Sequence, residues 1–233
     1  DRLTRLIAEL LEVARIDTCT MPHGSRFSAD GTRHYSVCMM DEQLVEIDAT
    51  RFEVARRFVL TKGDERATTG DVKATGGDHS GHGMTAPPAG STKCTPTWAV
   101  PSPDGRSVYV ACNAANDIVE VDVGSWTLKR RIPAGEGVYN LALTHDGSRL
   151  VATNKRGKSV SVFDLATGRE VARIETLRRV VHGVAISSDD RHAFISVEGY
   201  GSEPGTVEMI DLKELRRVAS VDVGQMAGGI DVL

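Results

Sequence analysis

Short apolar runs alternate with polar turns along most of this chain. Residues 102–113 show the arrangement clearly, since a Ser-Pro-Asp-Gly turn is followed directly by the β-prone run Val-Tyr-Val-Ala-Cys. In such a turn Asp accepts backbone hydrogen bonds, and Gly adopts the positive φ that other residues avoid. An Asp-Gly turn between two β-prone runs therefore predicts a β-hairpin.

The same turn recurs three more times. Equivalent turns lie at residues 28–31, 144–147 and 187–190, and the last has Asp190 where the others have Gly. An apolar-Asp pair ends 20 residues after the first residue of each turn, or 24 residues in the last copy, and is followed by another turn and another β-prone run. Each copy thus predicts four short strands, in units at residues 22–60, 96–134, 138–176 and 182–223.

Four-stranded units with a period of about 42 residues cannot cover their own faces and must stack on their neighbours. Radial stacking gives an all-β β-propeller, which we predict as a single domain over residues 1–233. Residues 1–17 have the apolar spacing of an amphipathic helix, but residues 11–17 match residues 52–58 and 169–175, so we interpret residues 1–17 as the last two strands of a preceding unit. Residues 227–232 resemble a first strand. These ends either complete a fifth blade or belong to a larger propeller of which the chain is a fragment.

Two strand motifs resemble a known repeat. The sequences Val-Tyr-Val-Ala-Cys-Asn at residues 108–113 and Leu-Val-Ala-Thr-Asn at residues 150–154 are similar to the YVTN family of β-propeller repeats. The resemblance covers nearly the whole chain apart from residues 61–93, and it implies a propeller, usually of about seven blades. It implies no single activity, because the similar propellers of nitrous oxide reductase and lactonases do unrelated things on one scaffold.

Net charge and hydropathy limit the kinds of partner that the chain is expected to bind. The formal net charge is −4, so we expect no broad basic surface for nucleic acid or anionic lipid. No apolar run approaches the roughly 18 residues of a membrane-spanning helix, so membrane insertion is not expected. The chain opens on Asp1 rather than Met, which indicates that a targeting segment was removed or that the chain is a fragment.

The order of strands in a propeller blade predicts on which face of the propeller each candidate ligand lies. The loops that enter the innermost strands and the loops that join second to third strands lie on one face, around the channel mouth, which we call the entrance face. His23 and His182 begin inner strands, where Thr97 and Tyr139 hold the same place in the other blades. The four cysteines fall on this face too, in entering loops or after second strands: Cys19, Cys38, Cys94 and Cys112. His34, His145 and His192 are predicted near the opposite face and are excluded as ligands.

An insertion at residues 61–93 emerges on the same face. It is rich in Gly, Thr and Pro, which predicts a flexible loop rather than a hidden domain. Within it, His79, His82 and Met84 are separated by small residues and could wrap one ion, and imidazole with soft sulfur favours copper. The segment is similar to His- and Met-rich stretches of periplasmic copper-resistance proteins and their multicopper oxidases. That similarity implies a periplasmic or secreted protein.

The predicted function is therefore copper binding, delivery or electron transfer on the entrance face. The loop would supply His79, His82 and Met84, and the other ligands would come from Cys19, His23, Cys38, Cys94, Cys112 and His182. Copper(I) is expected if sulfur ligands dominate.

Several alternatives stay open at this stage. The cysteines could be small core residues or form disulfides in any of three pairings. The insertion could be a solvated surface loop or a contact arm, and His23 and His182 could merely hydrogen-bond neighbouring backbone at the channel mouth. The entrance face could also hold a partner protein without any metal. An enzyme is less expected, because no nucleophile elbow, zinc-protease motif or phosphate loop is present. A lactonase-like hydrolase would need calcium ligands at the channel, for which the candidates are Asn113, Asn140, Asn154 and Glu198.

Overall fold

The computed structural model describes residue 16 and residues 18–68 and 90–232. These residues form seventeen strands in four antiparallel sheets. Blade 1 contains β1 (Pro22–Phe27), β2 (Arg33–Cys38), β3 (Gln43–Asp48), β4 (Glu53–Val59) and β5 (Arg66–Thr68). Blade 2 contains β6 (Pro96–Pro101), β7 (Ser107–Cys112), β8 (Asp117–Asp122) and β9 (Thr127–Pro133). Blade 3 contains β10 (Val138–Leu143), β11 (Arg149–Asn154), β12 (Ser159–Asp164) and β13 (Arg169–Glu175). Blade 4 contains β14 (Val180–Ile186), β15 (His192–Glu198), β16 (Gly205–Asp211) and β17 (Arg216–Val223).

The predicted repeat units are confirmed as blades. In each sheet the strands follow one another in chain order, so every unit is a simple antiparallel meander. Inner strand β1 packs beside β6, β6 beside β10, and β10 beside β14. Apolar side chains fill the space between neighbouring blades: Leu44, Phe58, Val110 and Val119 between blades 1 and 2, Ile118, Leu141, Leu150 and Phe163 between blades 2 and 3, and Val160, Val184, Ile195 and Ile210 between blades 3 and 4. The architecture is all-β and propeller-like.

The repeated turns have the predicted chemistry. Gly105 and Gly147 have φ values of +69°, and Asp190 takes +57° where the fourth turn lacks Gly. The carboxylate of Asp190 accepts hydrogen bonds from the backbone N–H groups of His145 (2.7 Å) and Asp146 (3.0 Å) in the neighbouring blade. Asp tolerates the left-handed region better than most residues. Asp190, the residue at which the fourth turn departs from the repeat, therefore joins blade 4 to blade 3 by hydrogen bonds.

Arginines join the blades through backbone oxygens. The guanidinium of Arg56 donates to the carbonyl of Val123 in blade 2 at 2.9 Å, and that of Arg130 donates to the carbonyl of Leu165 in blade 3 at 2.8 Å. Each of these arginines also forms a salt bridge with a buried glutamate on the third strand of its own blade. Arg56 pairs with Glu46, and Arg130 pairs with Glu120. A carboxylate in the blade interior thus orients the side chain that crosses to the next blade.

The predicted first strand at residues 227–232 is wrong, since these residues form no strand. They still lie against blade 4, because the carbonyl of Gly228 accepts from the hydroxyl of Ser196 at 3.5 Å and Ile230 lies close to Gly183. A β-strand requires a hydrogen-bonded partner strand, and the described residues provide none for this segment. The strands predicted within residues 1–17 lie almost wholly outside the described residues, so the number of blades stays a prediction.

The two ends of the insertion are built into blades 1 and 2. Strand β5 extends blade 1 by pairing with β4, and Lys62 and Thr92 exchange backbone hydrogen bonds of 2.9 and 3.1 Å. Glu65 beside β5 accepts from Arg131 of blade 2 at 2.6 Å, and Arg131 also reaches the carbonyl of Leu60 at 2.7 Å. The insertion therefore begins and ends at a fixed stem. Residues 69–89 lie outside the described part of the chain.

Candidate functional site

Two of the predicted site residues meet around a tyrosine on the entrance face. The imidazole Nδ1 of His23 lies 2.7 Å from the backbone carbonyl of Thr97, which can only accept, so Nδ1 carries the proton. Nε2 of His23 then holds a lone pair, and the hydroxyl of Tyr139 lies 3.2 Å from it. A hydrogen bond from one imidazole nitrogen to a carbonyl fixes both the tautomer and the ring orientation. The blade 1 to blade 2 contact therefore aims His23 Nε2 at Tyr139.

Tyr139 lies between the two histidine rings. Its ring centroid is 5.6 Å from that of His23 and 4.7 Å from that of His182, and the Lys155 ammonium lies 4.3 Å from its centre. Burial raises the pKa of the Tyr139 phenol, and the negative charge of Glu198 raises it further. The phenol is consequently protonated at neutral pH and donates its hydrogen bond to His23. A metal ion that bound the phenol oxygen would have to displace this proton.

His182 occupies the same ring position in blade 4. Its Nε2 lies 3.5 Å from a carboxylate oxygen of Glu198, and its buried Nδ1 has no hydrogen-bond partner within the described part of the chain. Burial lowers the pKa of His182, and the charge on Lys155 lowers it further, while Glu198 and the backbone of Gly228 act in the opposite direction. The net result is a neutral imidazole at pH 7. His182 therefore packs against Tyr139 as an uncharged ring.

The repeat pattern predicts the position of Tyr139 at the channel mouth. It does not predict that the phenol contacts both histidine rings. Alignment of the repeat units gives Tyr139 the position at the inner-strand start that His23, Thr97 and His182 hold in the other blades, but a pattern of His, Cys and Met ligands does not include a phenol. Its contact with Lys155, the first residue of the loop that joins β11 to β12 in the same blade, has no signal in the sequence.

The four cysteines are paired within their own blades. Cys19 bonds to Cys38 in blade 1, and Cys94 bonds to Cys112 in blade 2, so the described residues include no free cysteine. This corrects the prediction that Cys19, Cys38, Cys94 and Cys112 supply metal ligands, because the ligand form of cysteine is the thiolate and a disulfide has none. The open question of pairing is settled as well. Both bonds join an entering loop to the end of the second strand.

The predicted loop ligands His79, His82 and Met84 lie outside the described residues. Within the described ranges, no group of three or more His, Cys, Asp or Glu side chains is arranged to hold a metal ion. The same ranges contain no helix long and apolar enough to cross a membrane. The copper prediction therefore stays a prediction.

Two of the side chains that a lactonase-like calcium site would use, those of Asn113 and Asn154, make hydrogen bonds within the fold. Asn113 donates to the carbonyl of Val138 at 3.1 Å and accepts from Arg156 at 2.7 Å. Asn154 is fully buried and donates to the hydroxyls of Ser159 and Ser161. These contacts hold loops and strands together, which supports a structural role for both asparagines.

Comparison with known proteins adds information on the fold alone. No protein family matches the chain by its sequence profile, and no curated protein matches it. Among solved structures the chain is similar to a chain of Kuenenia stuttgartiensis hydrazine synthase, with a TM-score of 0.70, 17% identity, and coverage of 87% of this chain and 49% of that chain. This chain thus spans about half the length of that structure. The likeness agrees with the four blades, and together they show an all-β, propeller-like fold.

Proposed function

We propose that the protein is an extracytoplasmic β-propeller that binds copper at the mouth of its channel. The observation that carries the proposal is the arrangement of His23 and Tyr139. Two donor atoms that bind one ion at about 2 Å each lie roughly 3 Å apart, and His23 Nε2 is 3.2 Å from the Tyr139 hydroxyl. The carbonyl of Thr97 supports His23 in the way that outer partners support ligating histidines.

The remaining ligands would come from His79, His82 and Met84 of the insertion. The stem of the insertion is fixed between blades 1 and 2, on the same face as His23. In this proposal His182 packs against the ring of Tyr139 and holds it in place, and it does not bind the metal ion. With the cysteines removed from the set, imidazole and phenolate donors favour copper(II) over the copper(I) expected from sulfur ligands. Binding, delivery and electron transfer are all compatible with this donor set.

The location follows from the same cysteine pairs. Two disulfides are typical of proteins in an oxidising compartment outside the cytoplasm. Copper(II) is also the state expected under oxidising conditions. A periplasmic or secreted location is therefore part of the proposal.

Removal of either donor of the fixed pair should abolish tight copper binding. We expect the full chain, purified without chelator or affinity tag and loaded with copper(II), to retain one copper per chain after desalting, measured by plasma mass spectrometry. His23→Gln and Tyr139→Phe should each weaken binding at least tenfold, and Tyr139→Phe should remove the phenolate-to-copper absorption band. His34→Gln, on the opposite face, is the matched control. Unchanged copper content in both His23→Gln and Tyr139→Phe would refute the proposed pair, and unchanged content in the His79→Ala, His82→Ala double variant would refute the loop.

A second candidate function is a docking surface for a partner protein. Large apolar side chains are exposed on loops of the entrance face: Met21, Met40, Leu177, Tyr200 and Met226. Exposed apolar side chains that share one face are typical of protein interaction sites. In this function the metal would be dispensable, so the copper measurement above separates the two candidates.

A further inference from the structure

Three of the six methionines lie at one end of blade 1, on the entrance face. Met21 comes directly before β1, and Met39 and Met40 come directly after β2. Met21 is 50% exposed and Met40 is 65% exposed, while Met39 is half-buried. Methionine is one of the residues most often buried in proteins. The exposure of Met21 and Met40 therefore leaves their side chains available to a ligand.

The two loops that carry these methionines are held together beside them. The N–H of Met39 donates to the carbonyl of Met21 at 3.1 Å, and the disulfide between Cys19 and Cys38 joins the same two loops. Directly opposed residues in an antiparallel pair have Cα atoms about 4.5–5.5 Å apart. Two sulfurs that bind one metal ion at about 2.3 Å each lie at most about 4.6 Å apart. The long, unbranched methionine side chain can adopt this spacing without movement of the backbone.

A third link places a negative charge beside the methionines. Asp41 follows Met40 directly, and its carboxylate accepts a hydrogen bond of 2.7 Å from the N–H of Thr20. Thr20 in turn precedes Met21 directly. The carboxylate therefore fixes both loops and favours a cation between them.

The same backbone arrangement recurs in blades 2 and 3 without sulfur. The N–H of Asn113 donates to the carbonyl of Thr95 at 3.3 Å, and the N–H of Lys155 donates to that of Gly137 at 2.9 Å. Thr95 and Gly137 share the positive φ of Met21, at 48°, 66° and 59°. The loop pair thus forms with quite different side chains, so the fold does not require methionine in blade 1.

Thioethers are the soft donors that remain available to this chain in an oxidising compartment. All four cysteines form disulfides, and a disulfide contains no thiolate. A methionine sulfur has no proton to lose and forms no disulfide. Soft thioether ligands select copper(I) over harder ions such as magnesium and calcium.

We propose that Met21, Met39 and Met40 form a second metal site, which binds copper(I) through thioether sulfurs. The backbone of both loops is fixed before the ion binds, and only the side chains close around it. The site shares no ligand with the proposed pair of His23 and Tyr139. It therefore goes beyond the proposed function and does not depend on it.

Titration of the full chain with silver nitrate in chloride-free buffer tests the site, because silver(I) matches the charge and ligand preference of copper(I). NMR spectra of 13C-labelled methionine methyl groups report on each thioether separately. We expect saturable shifts of the Met21, Met39 and Met40 methyl signals. The matched control is Met226, which is 77% exposed on another loop of the entrance face. Its signal should stay unchanged at the same silver concentrations. No shift of the three signals, or an equal shift of Met226, overturns the proposal.

Variants to leucine separate a metal site from an apolar contact surface. Met21→Leu and Met40→Leu each remove a sulfur but keep an apolar side chain of similar size. Each should weaken silver binding at these loops at least tenfold, and Met226→Leu should leave it unchanged. Unchanged affinity in the Met21→Leu, Met40→Leu double variant would refute the site.

A further variant separates this site from the proposed copper(II) site. The chain with His23→Gln, His79→Ala and His82→Ala should keep the silver-induced shifts of Met21 and Met40, even where it no longer retains copper(II). Loss of these shifts in that variant would show that the methionines form no site of their own.

Discussion

Glu120→Ala should lower the free energy of unfolding by about 3–5 kcal/mol. The Glu120 side chain is 1% exposed and its oxygens bind four groups, at 2.5 Å from Arg130, 2.8 Å from Lys129, 2.8 Å from the hydroxyl of Ser107 and 3.2 Å from that of Tyr109. Removal of the carboxylate leaves Nε of Arg130 and the hydroxyls of Ser107 and Tyr109 without this acceptor, and Lys129 keeps only the hydroxyl oxygen of Ser107 at 3.4 Å. It also frees Arg130 from the geometry in which it reaches blade 3. The lower end of the range is expected, since Lys129 and Arg130 are partly exposed and can recover water.

Urea unfolding of matched variants measures this effect. Glu170→Ala removes a glutamate that pairs with Arg173 at 2.7 Å near the surface of blade 3, and it should cost less than about 1 kcal/mol. Glu120→Gln keeps some hydrogen bonds but removes the charge, so its cost should fall between those of the two alanine variants. A cost for Glu120→Ala no greater than that for Glu170→Ala would show that the buried ion pairs do not hold the blades together.

The charge of Glu120 also predicts a pH dependence. Burial alone would raise the pKa of this carboxyl, but the hydrogen bonds from Lys129, Ser107 and Arg130 outweigh it and leave the pKa below its ordinary value of 4.5. A carboxyl whose pKa is lowered by folding stabilises the protein above its unfolded pKa, and the stabilisation is lost as the pH falls through the folded pKa. The difference in unfolding free energy between the native chain and Glu120→Gln should therefore shrink below about pH 4.5. A difference that is constant from pH 7 to pH 3 would contradict this reasoning.

The strands of the four blades could be predicted from the sequence because the turn chemistry is local. A Ser-x-Asp-Gly turn fixes the register of the hairpin around it, and three further copies identified the period. The three-residue strand β5 could not be predicted, since it forms only by pairing along the edge of β4. The segment at residues 227–232 has the apolar pattern of an inner strand, but the described residues contain no second strand that pairs with it. Pattern determines the tendency to form a strand, and a hydrogen-bonding partner determines whether one forms.

The candidate site was partly predictable for the same reason. Repeat alignment placed His23 and His182 at equivalent positions near the channel, which the structure shows as contacts of both rings with Tyr139. It gave no information on the tautomer of His23, because that depends on a carbonyl of the neighbouring blade. The disulfide pairing does have a signal in the sequence. Cys19 and Cys38 are 19 residues apart and Cys94 and Cys112 are 18 apart, so equivalent blade positions already indicated pairing within each blade.

Replacement of Cys94 and Cys112 by Ala should lower the free energy of unfolding by about 3 kcal/mol, the loss expected for a closed loop of this length. Both sulfurs are fully buried in the core between blades 1 and 2. The fold should survive, because blade 3 has Asn154 and blade 4 has Val197 at the position of Cys112 and still forms four strands. The Cys19→Ala, Cys38→Ala variant should show a loss of similar size. Urea unfolding with a free-thiol count in the native chain measures both effects.

The same variants decide what the cysteines do at the entrance face. If the disulfides only tie the entering loops to the second strands, copper content per chain should be unchanged in both double variants while stability falls. If the cysteines bind metal, copper content should fall in the same variants and the native chain should contain titratable thiols. The first result would leave His23 and Tyr139 as the fixed part of the proposed site. The second would show that the protein exists in a reduced form, in which the thiolates beside Arg131, now 3.9 Å from the sulfur of Cys112, become available to a metal ion.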